Sequence, residues 1–191
     1  MNGQERNEIL ISWFTISVAF AWAFGGGIFR FGEFFRLLPV VLVGTATGFI
    51  FHELAHKYVA IHFGAHAEYR MWQYGLGLAV AMAALFGIVF AAPGAVYIFS
   101  DNLSRKENGL ISLAGPLTNI VLGIAFALAL PFLAPGNLLF DMVRFAASIN
   151  FSLATFNLLP IFPLDGSKVF AWNPAAWLVS IASAFFLPMV L

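Results

Sequence analysis

The chain has 191 residues, of which 61% are hydrophobic and 9% charged, and its formal net charge is zero. Soluble domains carry about 25% charged residues, so this composition excludes a soluble protein and reads as one integral membrane domain over residues 1–191. The neutral balance, without a basic stripe, argues against nucleic acid as a partner, and the absence of cysteine excludes thiolate metal sites, disulfides and cysteine nucleophiles.

Met1 to Glu8 mixes acids with the single Arg6, and no cleavage-site pattern follows the apolar run. It reads as a tail leading into a retained helix, not a signal peptide. Ile9 to Phe24 is a first apolar segment, short but able to span with some bilayer adjustment, and Gly25-Gly26-Gly27 ends it. Residues 28–36, with Arg30, Glu33 and Arg36 among aromatics, read as an interfacial loop.

Leu37 to Ile61 is the second span, and it holds Phe51-His52-Glu53-Leu54-Ala55-His56-Lys57. A helix turns about 100° per residue, so His52 and His56 share a face and can bind one metal ion. Glu53, one residue-step round, can reach a water on that metal. Two neutral imidazoles and a neighbouring base are what a hydrolytic zinc site needs. Each ionisable group near mid-membrane costs about 2.5 to 3.5 kcal/mol on insertion scales, so three within five residues call for a compensating partner, which a dication supplies.

Gly64 terminates this span, and Ala65 to Gln73 (His66, Glu68, Arg70) is polar enough to leave the bilayer core. The uninterrupted core of the next run, Leu76 to Phe90, is 15 residues, or about 23 Å of helix against a hydrocarbon core of about 30 Å. Pro93-Gly94 signals a turn and Ala95 to Phe99 is β-prone. Residues 74–99 therefore read as re-entrant, a path tolerated where protein covers the backbone.

Ser100 to Asn108 reads as a solvated loop and Gly109 to Phe132 as a clear span. After the Pro135-Gly136 turn, Leu138 to Phe162 is another span, and Ala175 to Leu191 a last, short one. The expected fold is an all-α, polytopic helical bundle of five to six membrane segments with a short re-entrant β-like element. With the N-terminus cytoplasmic, Arg6, Lys57, Arg70, Arg105, Lys106 and Lys168 fall on the cytoplasmic side and Arg30, Arg36 and Arg144 outside, in keeping with the positive-inside tendency. The expected location is the cell membrane, with the metal site nearer the cytoplasmic face.

A catalytic zinc usually takes three protein ligands and a water. Asp165, Glu68, Glu107, His62 and His66 are the candidates for the third. His62 points away on a continuing helix, and His66 lies beyond the helix end at Gly64. Glu68 and Glu107 sit in polar segments where solvent explains them. Asp165 follows a long apolar span and is framed by Pro160, Pro163 and Gly166. With residues 74–99 re-entrant, the second and fourth spans run parallel, and Asp165 arrives at the depth of His52 and His56.

The pattern resembles the site-2 protease family of intramembrane zinc metalloproteases. His52-Glu53-Leu54-Ala55-His56 is followed about a hundred residues later by Asn157 through Leu164-Asp165-Gly166. Gly115-Pro116-Leu117-Thr118-Asn119 matches a further family signature, and Ala92-Pro93-Gly94-Ala95-Val96 resembles its strand-forming re-entrant loop. The resemblance implies one zinc ion held by His52, His56 and Asp165, with Glu53 as general base. It also implies that Asn157 holds substrate or the developing oxyanion. Helix packing through Gly115 explains Asn119 equally well. Some members carry a PDZ or CBS appendage, and neither is expected here.

The function expected is hydrolysis of peptide bonds in membrane-spanning protein substrates, within or near the bilayer. Alternatives are a membrane metal transporter, in which Glu53 would have no proton-transfer task, and an inactive protease-like scaffold, which would be expected to have lost Glu53 or a ligand.

Overall fold

The computed structural model describes residues 1–26, 31–89, 93–100 and 102–191, with Phe31 by its backbone alone. Gly27, Arg30, Phe90, Ala92 and Asp101, on which parts of the sequence reading fall, lie outside the described residues.

Helix α1 runs Gly3–Gly25. Its start is fixed by the Asn2 side chain, which accepts the Glu5 N–H at 2.8 Å. Most of the expected N-terminal tail is thus helical, and Glu5 is only 1% exposed. The reason is a pair of donors the sequence did not reveal: the Lys57 ammonium and the Tyr69 backbone N–H both reach the Glu5 carboxylate.

Helix α2 (Phe31–Thr45), a π turn (Ala46–Ile50) and helix α3 (Phe51–His62) follow one another directly. The loop expected over 28–36 is therefore corrected for residues 31–36, which are helical; Arg36 pairs with Glu33 at 2.9 Å, one turn apart. Helices α5 (Arg105–Ala129, continued by a 3-10 turn Leu130–Phe132) and α6 (Leu138–Asn157) are separated by a short connection. Helix α7 is short (Asp165–Trp172) and α8 runs Pro174–Val190. Ser104 caps α5 reciprocally with Glu107, so part of the expected loop is helix start.

Among the described residues, four helical stretches are long and apolar enough to cross a membrane: Gly3–Gly25, Gly32–His62, Arg105–Phe132 and Leu138–Asn157. Two shorter apolar helices, α4 (Gln73–Phe86) and α8, bring the apolar helices to six. Large apolar side chains cover the outside, with Phe132 88% and Phe162 83% exposed. Such a surface suits lipid and would be a hazard in water.

Strands β1 (His66–Met71) and β2 (Gly94–Phe99) pair antiparallel, flanking α4. The Trp72 N–H donates to Pro93 O at 2.9 Å, so the chain returns to the level it left after passing through α4. β1 was expected to be merely polar chain. It is a strand because β2, absent from its local sequence, supplies the ladder. Its outer edge is closed by α1: Glu5 accepts the Tyr69 N–H at 3.1 Å and Glu8 the Met71 N–H at 2.9 Å. In an antiparallel pair outward and inward groups alternate. Opposite Tyr69 and Ala67, Val96 and Ile98 therefore turn their backbone groups to the open edge of β2.

Helix α5 lies at the centre, against α3, α6 and α7. Small residues allow this: at Gly123 a Cβ would press on the Phe151 ring of α6 at 3.0 Å. Polar side chains bridge the other helices, as where Ser17 of α1 meets Thr45 of α2 at 2.6 Å. Within this frame α3 is held between the sheet on one side and α5 on the other, which places its histidine face inward.

Candidate metal centre

His52 and His56 lie on successive turns of α3 and are 5% and 8% exposed. Their Nε2 atoms are 3.0 Å apart. Asp165 opens α7, and its Oδ2 lies 3.5 Å from His52 Nε2 and 3.1 Å from His56 Nε2. This carboxylate is delivered by a break in the chain after α6: Leu158 to Leu164 is non-helical, and Gly166 packs where a Cβ would lie 2.5 Å from Leu159 O.

The far side of each ring is anchored. His56 Nδ1 lies 2.7 Å from Ile111 O, and His52 Nδ1 lies 2.5 Å from Asn119 Oδ1. A carbonyl can only accept, so His56 Nδ1 donates and its Nε2 is bare in the neutral ring. Asn119 Nδ2 is already donated to Gly48 O at 2.8 Å and Asn150 Oδ1 at 2.9 Å. Its Oδ1 therefore faces His52, whose Nδ1 donates and whose Nε2 is likewise bare. Two lone pairs and a carboxylate oxygen thus face one point without a proton between them, which is repulsive unless a cation lies there.

The spacing suits zinc. Two ligands at about 2.0–2.1 Å on a tetrahedral ion lie about 3.3 Å apart, against the 3.0, 3.5 and 3.1 Å found. These three residues form a group able to hold a metal ion among the described residues. Room beside them comes from Gly115 of α5, where a Cβ would lie 2.7 Å from His52 Nε2 and press on His56 Nε2.

Glu53 is half-buried on the same turn, its carboxylate beside the backbone N–H of Val96 on the open edge of β2. Asn157 ends α6, and its Nδ2 is donated to Leu153 O at 2.9 Å, within its own helix. The remaining candidates stay out of the centre. His62 is exposed at the end of α3. His66 lies 3.3 Å from Glu68, which also pairs with Arg70, and Glu107 serves the α5 cap.

Sequence reasoning left Asn119 open and did not single out Asn150 or Ile111. Asn150 carried one signal, an amide at the middle of an apolar span. Ile111 acts through its backbone carbonyl, so its side chain carried none.

The model of peptidase family M50 matches residues 133–173. A candidate zinc metalloprotease of Methanocaldococcus jannaschii is 47% identical over 166 residues, covering 86% of this chain and 85% of its own. A candidate zinc metalloprotease of Bacillus subtilis, YwhC, is 31% identical, covering 70% of this chain and 68% of its own. The candidate zinc metalloprotease Rip2 of Mycobacterium tuberculosis is 32% identical over 66% of this chain, which spans 54% of that relative's length. No solved structure matches the chain.

Proposed function

The chain belongs to peptidase family M50, a zinc metallopeptidase family, and from that premise we propose that it cleaves peptide bonds of membrane-spanning proteins within or beside the bilayer. The observation that carries the proposal is the convergence of His52 Nε2, His56 Nε2 and Asp165 Oδ2 within 3.0–3.5 Å, with a carboxylate on the next residue. His52, His56 and Asp165 would hold zinc; when bound it acidifies a water and polarises a carbonyl.

The protein's own groups do the rest. Glu53 takes the proton of the attacking water and returns it to the leaving nitrogen. The Asn119 and Ile111 acceptors keep both imidazoles turned so that Nε2 faces the centre. Asn157 releases Leu153 O and turns its amide to the developing oxyanion, a donor placed where charge appears. The substrate must be extended to expose its backbone, and the outward backbone groups of Val96 and Ile98 lie outside the ladder with β1, the Val96 N–H beside the Glu53 carboxylate. Glu53 sits at that edge beside Val96, so a strand added there passes the base. The expected setting is the cell membrane, with the centre nearer the cytoplasmic face. A transport role would favour a trail of further ligands, and His52, His56 and Asp165 form the single such cluster among the described residues.

Glu53→Gln is the test. Purified protein reconstituted in liposomes with a single-span substrate should keep one equivalent of zinc and lose cleavage. Cleavage retained at the parental rate would remove Glu53 from the mechanism.

A further inference from the structure

Asn119 and Asn150 are both fully buried in the bundle, far from each other in sequence, and they share one hydrogen bond. Their amides are not free to flip. Asn150 Nδ2 is donated to Ala146 O at 2.8 Å, which as a carbonyl can only accept, and to Thr47 Oγ1 at 3.1 Å. Asn150 Oδ1 must then face Asn119. Asn119 in turn presents Nδ2 to Asn150 and to Gly48 O, so its Oδ1 faces His52 Nδ1. Every donor and acceptor in this relay has one orientation, set by two carbonyls that can only accept, Gly48 O of the π turn and Ala146 O of α6.

We propose that Asn150 is a positioning residue for the metal centre: acting through Asn119, it fixes the proton of His52 on Nδ1 and so presents a bare Nε2 to the ion. The inference rests on the zinc reading above. The hydrogen bonds of Asn150 go to Asn119, Thr47 Oγ1 and Ala146 O, and of these partners Asn119 is the one that meets a ligand ring. Without the acceptor at 150, Gly48 O alone holds the Asn119 amide, and turning a donor toward His52 costs one hydrogen bond of Nδ2 instead of two. The imidazole would then place its proton on Nε2 and lose its lone pair toward the ion.

The test compares zinc affinities of the full chain in detergent, by competition with a chromophoric chelator, for the parent, Asn150→Leu and Asn150→Asp. Leucine removes the acceptor; aspartate keeps an oxygen facing Asn119. The relay predicts a loss of about 10-fold or more for leucine and less than about 3-fold for aspartate, in line with outer-shell changes elsewhere. A packing role predicts the reverse order, since leucine suits an apolar bundle and aspartate buries a charge. That order, or a leucine variant at parental affinity, overturns the proposal. Cobalt-loaded protein should show a displaced visible band in the leucine variant alone.

Should the leucine variant fail to fold, Asn150→Ala takes its place, removing the same acceptor with less added bulk. A zinc affinity about 10-fold or more below that of the parent upholds the relay, and parental affinity overturns it. The zinc reading is checked apart from this. A parent that binds no zinc, or a His52→Ala variant that binds it fully, sinks that reading, whereas a zinc-binding parent whose affinity is unchanged by Asn150→Leu sinks the relay alone.

Discussion

Replacing Gly115 with alanine should cost the protein its zinc while sparing its fold. The added Cβ would lie 2.7 Å from His52 Nε2 and press on His56 Nε2 as well. An ordinary contact is about 3.5 Å, so His52 would have to retreat by about 0.8 Å, several times the tolerance of about 0.2 Å on a metal–ligand distance. Retreat is opposed on the far side, where Asn119 Oδ1 and Ile111 O hold the two rings. Alanine is the better helix former by about 1 kcal/mol, which offsets part of the crowding in the metal-free protein. The expected outcome is a fall in zinc affinity of about 100-fold, at the upper end of outer-shell effects, with little change in the thermal unfolding of the zinc-free form. Chelator competition and calorimetry in the same detergent read both quantities. An alanine variant that binds zinc as tightly as the parent would show that the ion is not held where the three donors converge.

Two further substitutions probe other parts of the molecule. Lys57→Met strands the buried Glu5 carboxylate, and breaking such a pair costs about 3–5 kcal/mol; adding Glu5→Gln should recover a large part, read by unfolding in mixed micelles, and no recovery would show that the pair is not the source of the loss. Val96→Pro deletes one outward N–H of β2 while leaving its pairing with β1 intact. It should raise KM for a membrane-spanning substrate with zinc content unchanged, and an unaltered KM would rule out strand addition at that edge.

The metal centre was legible because its residues are conspicuous. His52, Glu53 and His56 are ionisable groups in an apolar run, where chance rarely places them. Asp165 was legible through the prolines and glycine that break the span before it. Other features were hidden by non-local causes. His66, Glu68 and Arg70 look like solvated loop, and become strand only because β2 arrives after α4 to pair with them. Glu5 looks like part of a polar tail, and is buried because Lys57 and Tyr69 meet it there. Residues 31–36 were taken for loop on their charges, although Glu33 and Arg36 neutralise each other one turn apart. Asn119 had two readings of equal standing until the ring of His52 was seen against it.

The π turn at Ala46–Ile50 bears on how this protein can tolerate insertion and loss of residues. Such a turn is a helix with one residue too many, and it lets a backbone carbonyl leave the regular ladder; here Gly48 O goes to Asn119. Excising one residue within that turn would restore an unbroken α-helix and would look harmless by local energetics. It would also return the Gly48 carbonyl to the helix ladder and so withdraw the acceptor that holds Asn119, while leaving the flanking segments nearly in phase. The irregular winding thus absorbs an extra residue and sets one carbonyl free for the buried amide that meets His52.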